Sequence, residues 1–441
     1  MADTQHTLSD ALKRPTLSPR EPLFPSYLET GAQVPAASDV SLDDLSILDP
    51  EIWRQGQYWD RFERMRNEAP LHWTEDSFAG PFWSITRYDD IMAVDTDHHR
   101  FSSSWEHGGI TLGPPVSDFE LPMFIAMDEP RHAEQRITVQ PAVAPNMLKE
   151  FEPLIRSRTR ELLDSLPVGE PFDWVDTVSI ELTTMMLATL FDYPFEKRRD
   201  LTHWSDVATN MNNPDICPGG EEQWKREMLE CLTAFMGIFQ ERGQIPLKND
   251  LMSLLAHGEK TRDMTPQELL GNVILLIVGG NDTTRNSMTG SVYFLNKFRD
   301  QFDRLKADPS LIPAMVSETI RYQTPLAFMR RTALEDVEMY GQTIKKGDQI
   351  AMWYVSGNRD PRHFDRPDDF WIERPNVRSH ISFGFGIHRC VGNRLAELQL
   401  RILWEELLDR YSDIEVLDEP SLTSGAFVKG YTWMPVVVHA K

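Results

Sequence analysis

Near its C-terminus the 441-residue chain reads His380-Ile381-Ser382-Phe383-Gly384-Phe385-Gly386-Ile387-His388-Arg389-Cys390-Val391-Gly392-Asn393-Arg394. Gly384 and Gly386 predict a tight loop before Cys390, and apolar residues recur at helical spacing from Leu395 onward. A thiolate here would face the free N–H groups of a helix N-terminus, which favour negative charge and lower the pKa of a thiol. Glycines let a flat, bulky group approach the backbone, and a buried thiolate prefers a soft metal.

The pattern Phe-Gly-x-Gly-x-His-x-Cys-x-Gly over residues 383–392 resembles the haem-ligand loop of the soluble bacterial cytochrome P450 monooxygenases. The alternative is a structural cysteine in a glycine-rich turn. The resemblance extends over about residues 50–441. It implies a mainly α fold with minor β structure, in which a long central helix lies over a haem and the Cys390 loop lies beneath it. It also implies haem b (iron protoporphyrin IX) as cofactor, O2 as co-substrate and the Cys390 thiolate as the metal ligand, with haem contacts from Phe383, Gly384, His388 and Gly392.

A long buried helix is predicted to begin at Thr265, which reads as an N-cap followed by Pro266 and by Glu268 in a capping box. Its middle contains Gly279-Gly280-Asn281-Asp282-Thr283-Thr284. Two adjacent glycines inside a helix cost about 2 kcal/mol relative to alanine, so this segment predicts a break in the helix that has a use.

In the resembling family this segment activates oxygen. The resemblance implies that Asp282 and Thr283 deliver protons, while Gly279 and Gly280 make room for oxygen and substrate. The alternative is a local kink in which the side chains hydrogen-bond back to the helix.

Further positions match the same family. Glu318 and Arg321 lie three residues apart on one helix face, and the resemblance implies that Arg374 joins them to brace the haem-side core. Taken alone, Glu-x-x-Arg more often marks a surface ion pair. The resemblance also implies that the haem propionates bind to His132, Arg136, Arg331 and His388. Two positions depart from the family pattern, Glu129 and Val143, and both concern packing near the haem.

Candidate residues for the substrate pocket are apolar almost throughout. They are Ile274, Ile277, Val278, Leu326, Ala327, Phe328, Met329, Ala426 and Phe427. Ordinary core packing is the alternative for each of them. Residues 279–287 resemble the bacterial P450 group that hydroxylates the ends of medium-chain alkanes and fatty acids. A terpene or steroid hydroxylase is the second interpretation, and a non-catalytic haem sensor is the third.

The composition restricts the partners. A net charge of −23 argues against nucleic acid, and no apolar run is long enough to span a membrane. Three cysteines fit a reducing cytoplasm, and a monomer is expected. Electrons would come from a ferredoxin and its NAD(P)H-dependent reductase. A basic patch is predicted to dock the donor, formed by Arg359, Arg362, Arg366, Arg389, Arg394 and Arg401.

The chain is predicted to form one catalytic domain over residues 46–441, preceded by a poorly ordered or surface-draped arm over 1–45. Short strands are predicted over 71–73, 82–86, 337–340, 342–345 and 349–354. Residues 427–428 and 434–438 are predicted to close the chain as a hairpin.

Overall fold

A computed structural model describes residues 34–75, 77–112, 121–211, 213 and 216–441. The α-helices are α1 (Pro50–Arg54), α2 (Trp59–Glu68), α3 (Tyr88–Thr96), α4 (Arg131–Val139), α5 (Pro145–Asp164), α6 (Glu181–Phe191), α7 (Arg199–Thr209), α8 (Gly220–Arg242), α9 (Leu251–His257), α10 (Pro266–Lys297), α11 (Arg299–Ala307), α12 (Ile312–Gln323), α13 (Tyr354–Gly357) and α14 (Asn393–Arg410). The fold is mainly α with minor β, as predicted. Within the described part of the chain, no helix is long and apolar enough to cross a membrane.

The strands form small sheets beside the helices. They are β1 (Leu71–Thr74), β2 (Phe82–Ile85), β3 (Phe101–Ser102), β4 (Phe172–Asp173), β5 (Met329–Ala333), β6 (Val337–Met339), β7 (Gln342–Ile344), β8 (Gln349–Met352), β9 (Tyr411–Val416), β10 (Ser421–Leu422), β11 (Tyr431–Trp433) and β12 (Pro435–Ala440). One sheet has the order β1-β2-β8-β5-β3, in which only the β2–β8 pair is parallel. The others are β4-β12-β9, β6-β7 and β10-β11.

The central helix α10 has 32 residues and begins as predicted. The Thr265 side chain accepts a hydrogen bond from the Glu268 N–H, and the Glu268 side chain accepts one from the Thr265 N–H. The helix packs against α6, α7, α8 and α12. The predicted break is absent, because α10 continues through Gly279-Gly280 without interruption.

Two hydrophobic clusters share α10 and α14. One contains Ile274 of α10 with Leu398 of α14, and the other contains Val292 with Leu403. Burying each aliphatic side chain stabilises the fold by about 1.5–3 kcal/mol. Because both helices contribute to both clusters, their separation is fixed along their lengths.

The chain ends differ from two of the predictions or lie partly outside the described residues. The predicted C-terminal hairpin is wrong: β12 pairs with β9 and β4, and Val428 makes only an isolated bridge to Leu326. The arm predicted over residues 1–45 lies mostly outside the described residues. From residue 34 onward the chain packs on the fold, with Leu45 buried and Pro35 O accepting a bond from Arg61. The domain boundary stays a prediction.

Candidate active site

The Cys390 loop is closed by backbone contacts. The Cys390 N–H donates to Phe383 O at 2.9 Å, and residues Gly386–His388 form a 3-10 turn. Gly386 has a φ of +65°, and a Cβ there would lie 2.6 Å from the Asp95 carbonyl oxygen. A side chain at this position would therefore push the loop away from α3.

The Cys390 thiol opens onto a cavity at the start of α14. The N–H groups of Gly392 and Asn393 lower its pKa, as the helix N-terminus predicts, and Arg136 and Arg389 act in the same direction. Desolvation by the surrounding protein is larger, however, and raises the pKa of the thiol. The expected net depression is therefore wrong for the protein alone, although a coordinated metal would deprotonate the thiol.

The opposite wall of the cavity is formed by α10. A Cβ at Gly279 would meet no atom within 4 Å, whereas one at Gly280 would lie 2.7 Å from Leu187 Cδ2. Gly279 thus leaves open space in the cavity, and Gly280 allows α6 to pack closely. The Thr283 hydroxyl lines the same cavity and donates to Gly279 O at 2.8 Å.

Asp282 points away from the cavity and is buried behind α10. Its Oδ1 accepts a bond from Asn281 Nδ2 at 2.9 Å and lies 3.1 Å from Arg285 Nη2. Arg285 also pairs with Asp206 of α7, at 2.6 Å. Burial raises the pKa of Asp282 to about 6, Arg285 opposes the rise, and the charge of Asp206 adds to it. The predicted acid and alcohol are therefore neighbours in sequence that face different sides of the helix.

The candidate propionate ligands gather beside the Cys390 loop. The rings of His132 and His388 have centroids 4.1 Å apart, and Arg136 donates to the Arg389 carbonyl. Among the described residues, His132 Nε2 and both ring nitrogens of His388 have no hydrogen-bond partner although they are buried. Burial lowers the pKa of both histidines.

Arg331 is held by an acid that the sequence did not indicate. Its Nη2 donates to Asp95 Oδ1 at 2.7 Å. Asp95 Oδ2 accepts bonds from Tyr354 OH at 2.8 Å and from the Phe385 N–H at 2.7 Å. Asp95 therefore fixes both a cavity-lining cation and the Cys390 loop. No local spacing could have revealed it, because its partners lie 236 to 290 residues away.

These residues fit a haem. The cavity has a volume of about 990 Å³ and lies between Cys390 and Gly279. Its Cys390 side is lined by Phe383, Gly384, Gly392, Arg136, Arg331 and His388. Buried imidazole nitrogens without partners are costly unless an acceptor is bound, and propionate oxygens would supply that acceptor. Cys390 would hold the iron as a thiolate.

A buried ion triad supports the floor of the site. Glu318 accepts two bonds from Arg321, each 2.8 Å long, and a further bond from Arg374 Nε at 3.1 Å. The three side chains are essentially inaccessible to solvent. The structure therefore brings together the three residues that the sequence singled out, and it excludes the surface ion pair.

Most of the predicted pocket residues line the cavity. They are Ile274, Val278, Leu326, Phe328, Met329, Ala426 and Phe427. Ile277 and Ala327 do not; both are completely buried in the neighbouring hydrophobic clusters. The sequence pattern could not single out Ile277, because α10 is apolar on several faces here, nor Ala327, because it lies within the apolar run Leu326–Met329.

The chain was compared with known proteins. A model of the family "Cytochrome P450" matches residues 226–424. The chain is 34% identical to linalool 8-monooxygenase of Pseudomonas putida, over 90% of this chain and 99% of that protein. It is 30% identical to the methyl-branched lipid omega-hydroxylase of Mycobacterium tuberculosis, over 92% and 95% respectively.

A solved structure gives the same result. The chain is 46% identical to cytochrome P450-153 from Novosphingobium aromaticivorans, with a TM-score of 0.83 over 90% of this chain and 100% of that one. The chain therefore belongs to the cytochrome P450 family and is an oxygen-dependent monooxygenase.

Proposed function

We propose that the protein hydroxylates the ends of medium-chain alkanes or fatty acids. The observation that carries this proposal is the apolar cavity between Cys390 and Thr283, whose outer walls include Ile274, Leu326 and Phe427. The similarity to a lipid omega-hydroxylase supports the same chemistry at a chain end. A terpene or steroid hydroxylase is the second candidate, and the similarity to linalool 8-monooxygenase favours its terpene form.

The residues around the cavity have distinct roles in this reaction. Haem b, when bound, supplies the chemistry that activates O2 and transfers one oxygen atom to a C–H bond. Cys390 would hold the iron, and His132, Arg136, Arg331 and His388 would bind the propionates. The Thr283 oxygen lines the cavity while its O–H donates to Gly279 O, and Asp282, whose pKa burial raises to about 6, holds or releases a proton behind the helix.

The substrate class is tested by binding and turnover. The haem-loaded protein is titrated with n-decane, decanoic acid and linalool. The two straight-chain compounds are expected to shift the haem spin state at lower concentrations than linalool does. Turnover should then yield the primary alcohol or the omega-hydroxy acid. Binding and product with linalool alone would replace this proposal by the terpene hydroxylase.

We infer that a ferredoxin and its NAD(P)H-dependent reductase supply the electrons in a reducing cytoplasm. The exposed basic patch is smaller than predicted, because four of the six arginines pair with acidic side chains. Arg359 is buried against Asp368, and Arg401 pairs with Glu152 and Glu405. Two more arginines pair with nearby acids, Arg362 with Asp360 and Arg366 with Asp369.

Arg389 and Arg394 are exposed and make no ion pair with any described residue. Both act electrostatically on Glu397, as does Arg378, which places the three cations around one carboxylate. This smaller patch lies beside the Cys390 loop, where an acidic electron donor would come closest to the iron.

Charge reversal at this patch should slow reduction. Arg394→Glu is expected to lower the rate of ferredoxin-dependent reduction about tenfold at low ionic strength and less at high salt, because steering by exposed charges is screened. Stopped-flow reduction measures this. Lys248→Glu, an exposed lysine paired with Asp192, is the control and should have little effect. Equal slowing by both variants, or slowing independent of salt, would contradict the patch.

The pH dependence of turnover should respond to Asp206. Its negative charge raises the pKa of Asp282, and its removal leaves Arg285 to pair with Asp282 alone. Both effects lower the pKa of Asp282, so the carboxyl loses its proton at lower pH. Asp206→Asn should therefore move the descending limb of the kcat–pH profile to lower pH by about one unit. A shift of this size is at the lower end of what a nearby charge produces. Asp200→Asn on the same helix, which removes the charge beside Tyr193, should leave the limb in place.

A further inference from the structure

Strand β5 carries two successive arginines that face opposite ways. Arg331 points to Asp95 and the Cys390 loop, and Arg330 points to the segment after β3. Arg330 Nη2 donates to His107 O at 2.8 Å, and Nη1 donates to Gly108 O at 2.9 Å. A weaker contact reaches Thr111 O at 3.4 Å. The guanidinium group thus lies inside a turn of backbone carbonyls.

The surrounding contacts complete this turn. The Arg330 N–H donates to Ile110 O at 2.8 Å, and the Thr332 hydroxyl donates to His107 O at 2.8 Å. Thr332 Oγ1 in turn accepts from Arg330 Nη2 at 3.1 Å. Gly108 has a φ of +100°, and a Cβ there would lie 2.2 Å from Arg330 Nη2. The segment is therefore shaped around this one side chain.

The arrangement is unusual for a buried cation. Arg330 is 6% exposed and forms no ion pair with any acid in the described ranges. Burial lowers the pKa of its guanidinium to about 10. Within the described residues its guanidinium is bonded by backbone carbonyls and the Thr332 hydroxyl oxygen, an arrangement that requires several donors in one plane. Arginine offers that planar fork of donors, whereas a lysine ammonium is a compact point charge with three donors.

The segment that Arg330 holds forms part of the substrate cavity. Trp105 and Gly108 to Leu112 all line it, and Ile110 and Leu112 add apolar surface. From this geometry we infer that Arg330 is a positioning residue for substrate specificity. It holds residues 105–112 in the shape that presents the chain end of the substrate to the reacting centre. The inference rests on the proposed function for the identity of that substrate.

The test compares Arg330→Lys with wild type in the haem-loaded protein. Amide hydrogen exchange over residues 105–112 should become faster. The dissociation constant for n-decane, from the spin-state titration, should rise about tenfold, because binding must then also order the loosened segment. Products should spread from the terminal carbon to internal carbons. The haem content and the carbon-monoxide difference spectrum should stay as in wild type.

Arg66→Gln is the matched control. Arg66 is 5% exposed, bonds Ser356 rather than the cavity segment, and tests for general loss of a buried arginine. Thr332→Val is a milder second variant, which should produce the same changes in smaller measure if Arg330→Lys does not fold. Unchanged exchange and binding in the position-330 and position-332 variants would overturn the inference. Equal changes in Arg66→Gln at equal thermal stability would also overturn it.

The two proposals can fail separately. If wild type binds and oxidises no straight chain, the proposed function fails, while faster exchange over 105–112 in Arg330→Lys still establishes the positioning role. If wild type oxidises chain ends and Arg330→Lys keeps both its affinity and its regiochemistry, only the inference about Arg330 fails.

Discussion

The Cys390→Ala variant is expected to fold and to lose hydroxylation down to the background rate. The side chain opens onto the cavity and its removal leaves no core void, so the cost to folding is small. The carbon-monoxide difference spectrum of the reduced protein should lack the red-shifted Soret band that thiolate ligation produces. The propionate ligands remain, so some haem should still bind, with weaker affinity.

Cys231→Ala is the control for this experiment. Cys231 is completely buried in α8 among hydrophobic residues, and burial raises the pKa of its thiol well above the usual range. It should behave as a small apolar side chain, and its replacement should leave the spectrum unchanged. A red-shifted band that survives in Cys390→Ala would contradict the assignment of the ligand.

The second large effect is expected on stability. Glu318→Ala removes the shared anion of Arg321 and Arg374 and leaves two guanidinium groups buried without a counter-charge. Breaking a buried pair in this way costs about 3–5 kcal/mol. That is a large part of the total stability of an ordinary domain, about 5–15 kcal/mol. The midpoint of urea unfolding should fall accordingly.

Removal of Glu318 should also weaken haem binding. Arg321 donates to the carbonyls of Asn358 and Pro367, and Asn358 in turn bonds Ser382 at the start of the Cys390 loop. Haem content after purification is therefore expected to decrease in Glu318→Ala. Glu318→Gln, which keeps an acceptor for the Trp371 N–H, should be less severe.

Glu373→Ala is the matched control for the triad. Glu373 is the neighbour of Arg374 in sequence, but it forms an exposed pair with Arg304. Exposed ion pairs contribute about 0–1 kcal/mol to stability. The urea-unfolding midpoint of Glu373→Ala should therefore stay close to that of wild type. Midpoints that fall equally in the two variants would show that the buried triad is no more important than a surface pair.

Features that depend on residues close together in the sequence could be predicted, whereas features that depend on distant residues could not. The Cys390 loop, the capping box at Thr265 and the Glu318–Arg321 pair are patterns within a few residues, and the structure contains each of them. A further local signal is the spacing of Asp282 and Arg285, which stand three apart on one helix.

The remaining features depend on contacts across the chain. Arg359 was predicted for an exposed patch, yet it is buried between the rings of Trp59 and Tyr322. Sequence gives the charge of an arginine but not its exposure. β12 was predicted to pair with nearby residues, because neighbours in sequence are the usual partners. It pairs instead with β9, beyond two intervening strands.

The bond from the Phe385 N–H to Asp95 has a consequence for how the protein is assembled. It joins residues 290 positions apart, so the cysteine turn makes this contact only once α3 is in place beside it. Bringing such distant segments together costs chain entropy before the contact can form. Chains rich in distant contacts therefore fold slowly. His132 and Arg136 also lie upstream of the segment that matches the family model. A fragment limited to residues 226–424 would therefore carry the iron ligand without a complete binding site.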